Sequence, residues 1–215
     1  MIWCKFFYYK FDVEETSWSP LEETDEPLGH FIDHLYLVNA RFVGGEQQDA
    51  GDFFLELYNY FAEALPNEVK PGLSQYFEGV IRQNVVCKLC GYETVTLQTM
   101  VIWPLPMTLR GYTLGDCLAE YLADENIKDW ECFKCAHGEA VMKKTVVSWP
   151  RVFVICLQRF SNGEKNEAPL CFTEGWQSAE KEIEPDHEYL LQAAVTHLGE
   201  YKCSSNCCTW RRTVK

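Results

Sequence analysis

Two short cysteine loops constrain this chain more tightly than any other feature. "VVCKLCGYE" begins at Val85 and "DWECFKCAHGE" at Asp129, and each holds two cysteines with two residues between them. The four are Cys87 and Cys90, then Cys132 and Cys135, with the 41 residues 91–131 between the pairs. Such sulfurs could be four ligands of one metal ion, two redox pairs, or coincidence. Zinc takes four soft ligands in a tetrahedron, and one Cys-x-x-Cys turn supplies two of them. A redox pair would sit near a βαβ pattern, which is missing here, and strand signals flank both loops instead. We therefore read Cys87, Cys90, Cys132 and Cys135 as ligands of one structural Zn2+. Gly91 directly follows the first turn and Gly138 lies just past the second. Glycine there lets the backbone turn left-handed and aim amide N–H groups at the thiolates. Closing the long connection costs little extra entropy, because that cost grows only logarithmically with length. His137 is read as a turn residue, since a fourth cysteine is already at hand.

Composition sets the surroundings of this site. Eleven cysteines in 215 residues is an odd number. The opening "MIWCKFFYYKF" is aromatic but has no apolar signal core or small-residue cleavage site. The expectation is an intracellular protein of cytoplasm or nucleus, with reduced thiols and no disulfide framework. Apolar residues make up 47% of the chain, enough for a globular core in one large domain or two small ones. The longest apolar runs, such as "VFVICL" from Val152, are far too short to cross a bilayer. Nineteen bases against 32 acids give a net charge of −13. That balance opposes phosphate backbones, which are bound through Lys and Arg, and favours a basic partner surface. No nucleic-acid or membrane partner is expected.

Periodicity divides the chain. Residues 1–30 read as an irregular acidic segment with Glu14, Glu15, Glu22, Glu23, Asp25 and Glu26 among Ser, Thr and Pro. Phe31, Ile32, Leu35 and Val38 suggest a short helix. "EQQDAGDFFLELYNYFAEALP" is the clearest helix, with Ala50, Phe53, Phe54, Leu57, Phe61 and Leu65 on one face. "SQYFEGVIRQNVV" and "YETVTLQTMVIWPLPM" read as strands around the first loop. "TLGDCLAEYLADE" reads as a helix capped by Thr113, with Asp116 completing the box. "AVMKKTVVSWP", "RVFVICLQRF" and "YLLQAAVTHLG" read as strands, the last two buried, and "EAPLCFTEGWQSAEKEIEPDHE" as irregular. Residues 201–215 have no acid, three cysteines and four bases, unlike the chain before them.

In order along the chain come "FVGGEQQDAGDFF", "YFEGVIRQNVVCKLC", the second Cys-x-x-Cys, "WPRVFVICLQRF" and "YLLQAAVTHLG". This series resembles the ubiquitin-specific protease family of cysteine deubiquitinases over roughly residues 31–200. The resemblance implies an α+β, papain-like fold with thumb, palm and antiparallel β-sheet fingers whose tips carry a zinc ribbon. It implies a partner, ubiquitin or a ubiquitinated protein, gripped by palm and fingers. It also implies that Asp49, and Asp52 in place of the family's Glu, face the basic tail of ubiquitin.

The same resemblance exposes what the sequence does not contain. The family nucleophile sits in a Gly-Asn-x-Cys-Tyr-x-Asn context that occurs nowhere in these 215 residues. Cys4, followed by "KFFYY", is a packing or exposed thiol. His197 matches a non-catalytic His-x-Gly position, and "EYKCSSNCCTWRRTVK" stands where Gly-His-Tyr belongs. No catalytic residue is assigned. Three functions follow as expectations: a ubiquitin-binding fragment or pseudoenzyme, part of an active thiol deubiquitinase, or a structural zinc scaffold for another protein.

Overall fold

The computed structural model describes residues 4–10, 25–43, 48–107, 112–161, 164–166, 168–171, 175–177 and 188–195. His197 and the basic tail after it lie outside these. In chain order the elements are β1 (Cys4–Lys10), α1 (Asp25–Asp33), 3-10 turns at Leu35–Leu37 and Ala40–Phe42, α2 (Ala50–Ala64), α3 (Lys70–Phe77), β2 (Gly79–Cys87), β3 (Glu93–Met100), β4 (Trp103–Pro106), β5 (Tyr112–Thr113), α4 (Leu114–Leu122) and β6 (Glu125–Lys128). β7 (Glu139–Ser148), β8 (Val152–Gln158), β9 (Phe160–Ser161), β10 (Glu164–Lys165), β11 (Leu170–Cys171), β12 (Gly175–Gln177) and β13 (Glu188–Val195) follow.

Two sheets dominate. One has the order β12-β13-β1-β8-β4, and the other β3-β2-β7-β6. The second is antiparallel throughout, while β4 joins β8 in parallel at the end of the first. β8 is the buried strand its apolar run suggests, with Phe153, Val154, Ile155, Cys156 and Leu157 all buried. β13 is only partly buried, with Tyr189 in the core but Gln192 and Ala193 exposed.

The core lies where the two sheets and α4 meet. Trp103, fully buried, stacks on Trp149 at 5.5 Å between ring centroids and takes the edge of Phe153 at 5.1 Å. Aromatic pairs of this kind add about 1 kcal/mol to the gain from area burial. Gly79 starts β2 against this cluster: a Cβ there would stand 2.6 Å from Cζ2 of Trp103 and 3.0 Å from Cδ of Pro150. Tyr189 donates from its hydroxyl to the Pro150 carbonyl at 2.6 Å, and burial pushes its phenol well above the usual range. In α4, Leu114, Cys117 and Leu118 share one face and are buried, as i, i+3 and i+4 spacing requires. The expected capping box is formed. Thr113 Oγ1 accepts from the Asp116 amide at 3.2 Å, and the Thr113 amide donates to Asp116 Oδ2 at 2.9 Å.

Four local expectations are corrected. The segment read as irregular contains β1, which lies between β13 and β8, with Phe6 opposite Ile155 and Tyr8 opposite Phe153. An aromatic run suits a strand, but its partners come from the far end of the chain, so no local pattern marks it. The helix expected from Phe31 starts at Asp25 and ends at Asp33. Pro27 sits at its third residue, within the first turn, where proline is tolerated. Residues 74–77, read as strand, close α3, which has a proline in its first turn and a C-cap amide at Glu78 bonded to the Ser74 carbonyl. The stretch read as irregular before β13 contributes β11 and β12, pairing with β5 and β13.

Candidate metal centre and helix α2 acids

The four loop cysteines meet because β2 and β7 are adjacent antiparallel strands. Cys87 ends β2 opposite Ala140, and Val86 stands opposite Val141, so the turn after β2 and the turn before β7 share one end of the sheet. The Lys88 amide donates to the Glu139 carbonyl at 3.1 Å, and Lys88 Nζ lies 3.3 Å from Glu139 Oε2. Both turns close the same way. The Gly91 amide donates to the Cys87 carbonyl at 3.0 Å, and the Ala136 amide to the Cys132 carbonyl at 2.8 Å. Gly91 has φ 67° and Ala136 φ 55°. The left-handed residue of the second turn is thus Ala136, not Gly138 as the sequence suggests. The geometric equivalent of Gly91 is the residue next to the second cysteine of the pair.

The four Sγ atoms lie within 4.8 Å of one another. Cys87 Sγ is 3.6 Å from Cys135 Sγ, and Cys90 Sγ is 3.6 Å from Cys132 Sγ. Four sulfurs at about 2.3 Å from a central ion would be about 3.8 Å apart, so the donor set fits a tetrahedral thiophilic cation. Cys87 and Cys132 are buried. Burial opposes ionisation of Cys87, but the amides of Cys90 and Leu89 and the thiols of Cys135 and Cys132 bring it down to about 6. The His137 amide favours the Cys135 thiolate, yet burial and the three neighbouring sulfurs push that thiol up to about 12.

The two acids of the expected tail contact are placed differently. Asp49 is the N-cap of α2: its Oδ1 accepts from the Gly51 amide at 2.7 Å and from the Asp52 amide at 3.0 Å. Asp52 projects from the first turn, with its side chain 63% exposed, and Arg41 Nη1 lies 3.8 Å away. Arg41 also reaches Glu56 at 3.4 Å. Sequence reasoning misses Glu56, although its i, i+4 spacing from Asp52 is a usable signal.

Two further cysteines with described side chains, Cys117 and Cys156, lie outside the cluster. Cys117 is buried, and burial with the nearby Asp116 and Glu120 carboxylates pushes it up to about 11. Cys156 is buried within β8. Among the described histidines His30, His34 and His137, none has a ring nitrogen bonded to a sulfur, and His34 Nδ1 pairs with the His30 carbonyl at 2.7 Å. None of the described helices is long and apolar enough to cross a membrane.

These features find their counterpart in known proteins. The chain matches the ubiquitin carboxyl-terminal hydrolase family over residues 12–212. It belongs to that family. Ubiquitin C-terminal hydrolase 15 of Oryza sativa subsp. japonica is 25% identical over 175 residues, 72% of this chain but 18% of its own length. Ubiquitin carboxyl-terminal hydrolase 2 of Bos taurus is 25% identical over 197 residues, 73% of this chain and 32% of its own length. The chain therefore spans under a third of either relative. Among solved structures, the SAGA Ubp8/Sgf11/Sus1/Sgf73 DUB module bound to ubiquitin aldehyde contains a chain similar over 81% of this one and 44% of its own, with TM-score 0.64 and 23% identity. A variant form of that module, with a shortened Sgf11, matches over 85% of this chain and 46% of its own, with TM-score 0.61 and 18% identity. The fold is the mixed helix and antiparallel-sheet fold of ubiquitin-specific proteases.

Proposed function

We propose that these 215 residues recognise ubiquitin without hydrolysing its conjugates, and that Zn2+ held by Cys87, Cys90, Cys132 and Cys135 shapes the recognising fingers. The observation that carries this reading is the four-sulfur cluster, which ties two hairpin tips together in a family whose members act on ubiquitin. Zinc bound by four cysteines has no open coordination position, so it serves structure and not chemistry. Asp52 is the exposed acid offered to the basic ubiquitin tail, and Arg41 must give way when an incoming arginine takes its place. Asp49 acts mainly by fixing the start of α2, which aims Asp52.

The test is titration of the zinc-loaded chain with ubiquitin, following backbone amide shifts. Shifts should appear in β2, β3, β7 and the start of α2, and the chain should not label with a ubiquitin-based thiol-reactive probe. An unmoved spectrum at high ubiquitin concentration sinks the binding reading. Labelling of any cysteine together with conjugate cleavage sinks the non-catalytic one. Asp52→Ala should weaken binding by roughly fivefold, the scale of an exposed ion pair, and Arg41→Ala should strengthen it. A second reading, favoured by the 18% and 32% coverage of the relatives, makes this chain the grip of a longer active thiol deubiquitinase. Coding sequence for a Gly-Asn-x-Cys box upstream and a Gly-His-Tyr triplet downstream would establish it.

A further inference from the structure

The sulfur geometry carries a second chemistry. The two 3.6 Å sulfur pairs, Cys87 with Cys135 and Cys90 with Cys132, each join one turn to the other. Each pair needs to close only about 1.5 Å further to reach a disulfide bond length of about 2.05 Å. The two turns share one end of the sheet, where Cys87 stands opposite Ala140 and the Lys88 amide bonds the Glu139 carbonyl. We propose that the cluster is a site of oxidative cross-linking, in which a peroxide converts the four thiolates into the disulfides Cys87–Cys135 and Cys90–Cys132 and expels the metal. The inference rests on the metal-binding reading above only for the expelled ion; the pairing rests on the sulfur positions.

The step balances with hydrogen peroxide as oxidant. One thiolate of each pair attacks a peroxide oxygen, the O–O bond breaks, and a sulfenic acid and hydroxide form. The partner thiolate attacks the sulfenic sulfur, forms the S–S bond and releases a second hydroxide. Four thiolates, two peroxides and four protons give two disulfides and four waters, and the cation leaves because no thiolate remains to hold it. The finger tips exchange a metal tie for a covalent one across the same gap. This differs from the usual reaction of a Cys-x-x-Cys turn, which pairs its own two cysteines.

The sequence makes the pairing directly readable. Trypsin cuts after Lys88 and Lys134, within each turn, so the four cysteines fall on separate peptides: 83–88, 89–110, 129–134 and 135–143. The experiment begins by counting zinc in the purified chain. Hydrogen peroxide is then added, released zinc is followed with a chromophoric chelator, and remaining thiols are blocked before digestion and mass spectrometry. The expected result is loss of one equivalent of zinc, with 83–88 linked to 135–143 and 89–110 linked to 129–134. Links within a turn, the other cross-pairing, unlinked sulfinic acids, or no oxidation at all would each overturn the proposal. Chain purified without zinc that still gives the two expected links would defeat the metal reading and leave the pairing standing. Cys87→Ser should retain only the 89–110 to 129–134 link; if that variant fails to fold, the wild-type peptide map decides alone.

Discussion

In the palm sheet, β8 carries five consecutive buried residues, Phe153 to Leu157; in the finger sheet, β3 carries five consecutive exposed ones, Val95 to Thr99. Leu97 is 61% exposed, and Phe133 at the tip of the second turn is 89% exposed. The palm strand is covered on both sides and gains hydrophobic free energy along its whole length. Among their apolar side chains the finger strands bury little beyond Ile81, Cys87, Met100 and Ala140 near their ends. Cross-strand polar pairs, Gln83 with Gln98 at 2.8 Å and Asn84 with Glu93 at 2.6 Å, decorate the bare region, and such pairs are worth only a fraction of a kcal/mol each. A sheet so thinly buried needs a tie at its far end, and the four sulfurs are where the chain supplies one. One fold thus contains two regions, one held by burial and one whose far end carries a four-sulfur donor set that a metal tie would fit.

Removing the metal should break this contrast most visibly. A strong chelator is expected to abolish amide protection in Val85–Tyr92 and Asp129–Ala140 while β8 stays protected, as hydrogen exchange would show. Structural zinc contributes on the order of 10 kcal/mol to a dependent fold, so uniform loss or uniform retention in both sheets would refute the division. Next in size, Trp103→Ala should lower global stability by about 3–5 kcal/mol in a denaturant melt and leave zinc content unchanged. The opposite pattern would mean that the core and the tips are not separable.

A smaller effect is expected at the start of α4. Thr113→Ala should cost about 1 kcal/mol. Hydrogen bonds from the Thr113 hydroxyl and amide hold Asp116 below the usual carboxylate range. Because its folded value is depressed, its contribution is present above the ordinary aspartate range and lost as pH falls through the lowered value. An NMR pH titration should show the Asp116 midpoint rising towards normal in Thr113→Ala; an unchanged midpoint would remove the hydroxyl from the account. The smallest effect lies at the knuckles. Ala136→Gly relieves a left-handed alanine and should stabilise the tips by at most about 1 kcal/mol, partly offset by a more flexible unfolded chain. Gly91→Ala should do the reverse, and the pair of melts sharpens the claim that the two turns are equivalent.

Much of the site is legible before any fold is known, because its signal is local. Cys87, Cys90, Cys132 and Cys135 announce themselves by spacing, and strand signals on both sides imply hairpins. The helix at α2 and the box at Thr113 and Asp116 depend on residues within two turns of each other, and both form, although α2 buries Gly51 and Tyr58 and leaves Phe61 of the expected face exposed. The misjudged parts depend on distant partners. β1 has nothing in its own sequence to show that β13 and β8 will flank it, and Ser74–Phe77 have aromatic and polar residues that suit either state until Pro71 and Gly79 bound them.

What the sequence by itself determined is therefore the four-cysteine donor set at the tips and the existence of helices α2 and α4, since both are fixed by residue type at short spacing. Tertiary structure alone decided which sulfurs face each other across the turns, that Asp49 turns inward to cap α2 while Asp52 meets Arg41, and that Ala136 bends where Gly138 does not. These are outcomes of strand register and packing between segments far apart in the chain, and register is set by which side chains can be buried together.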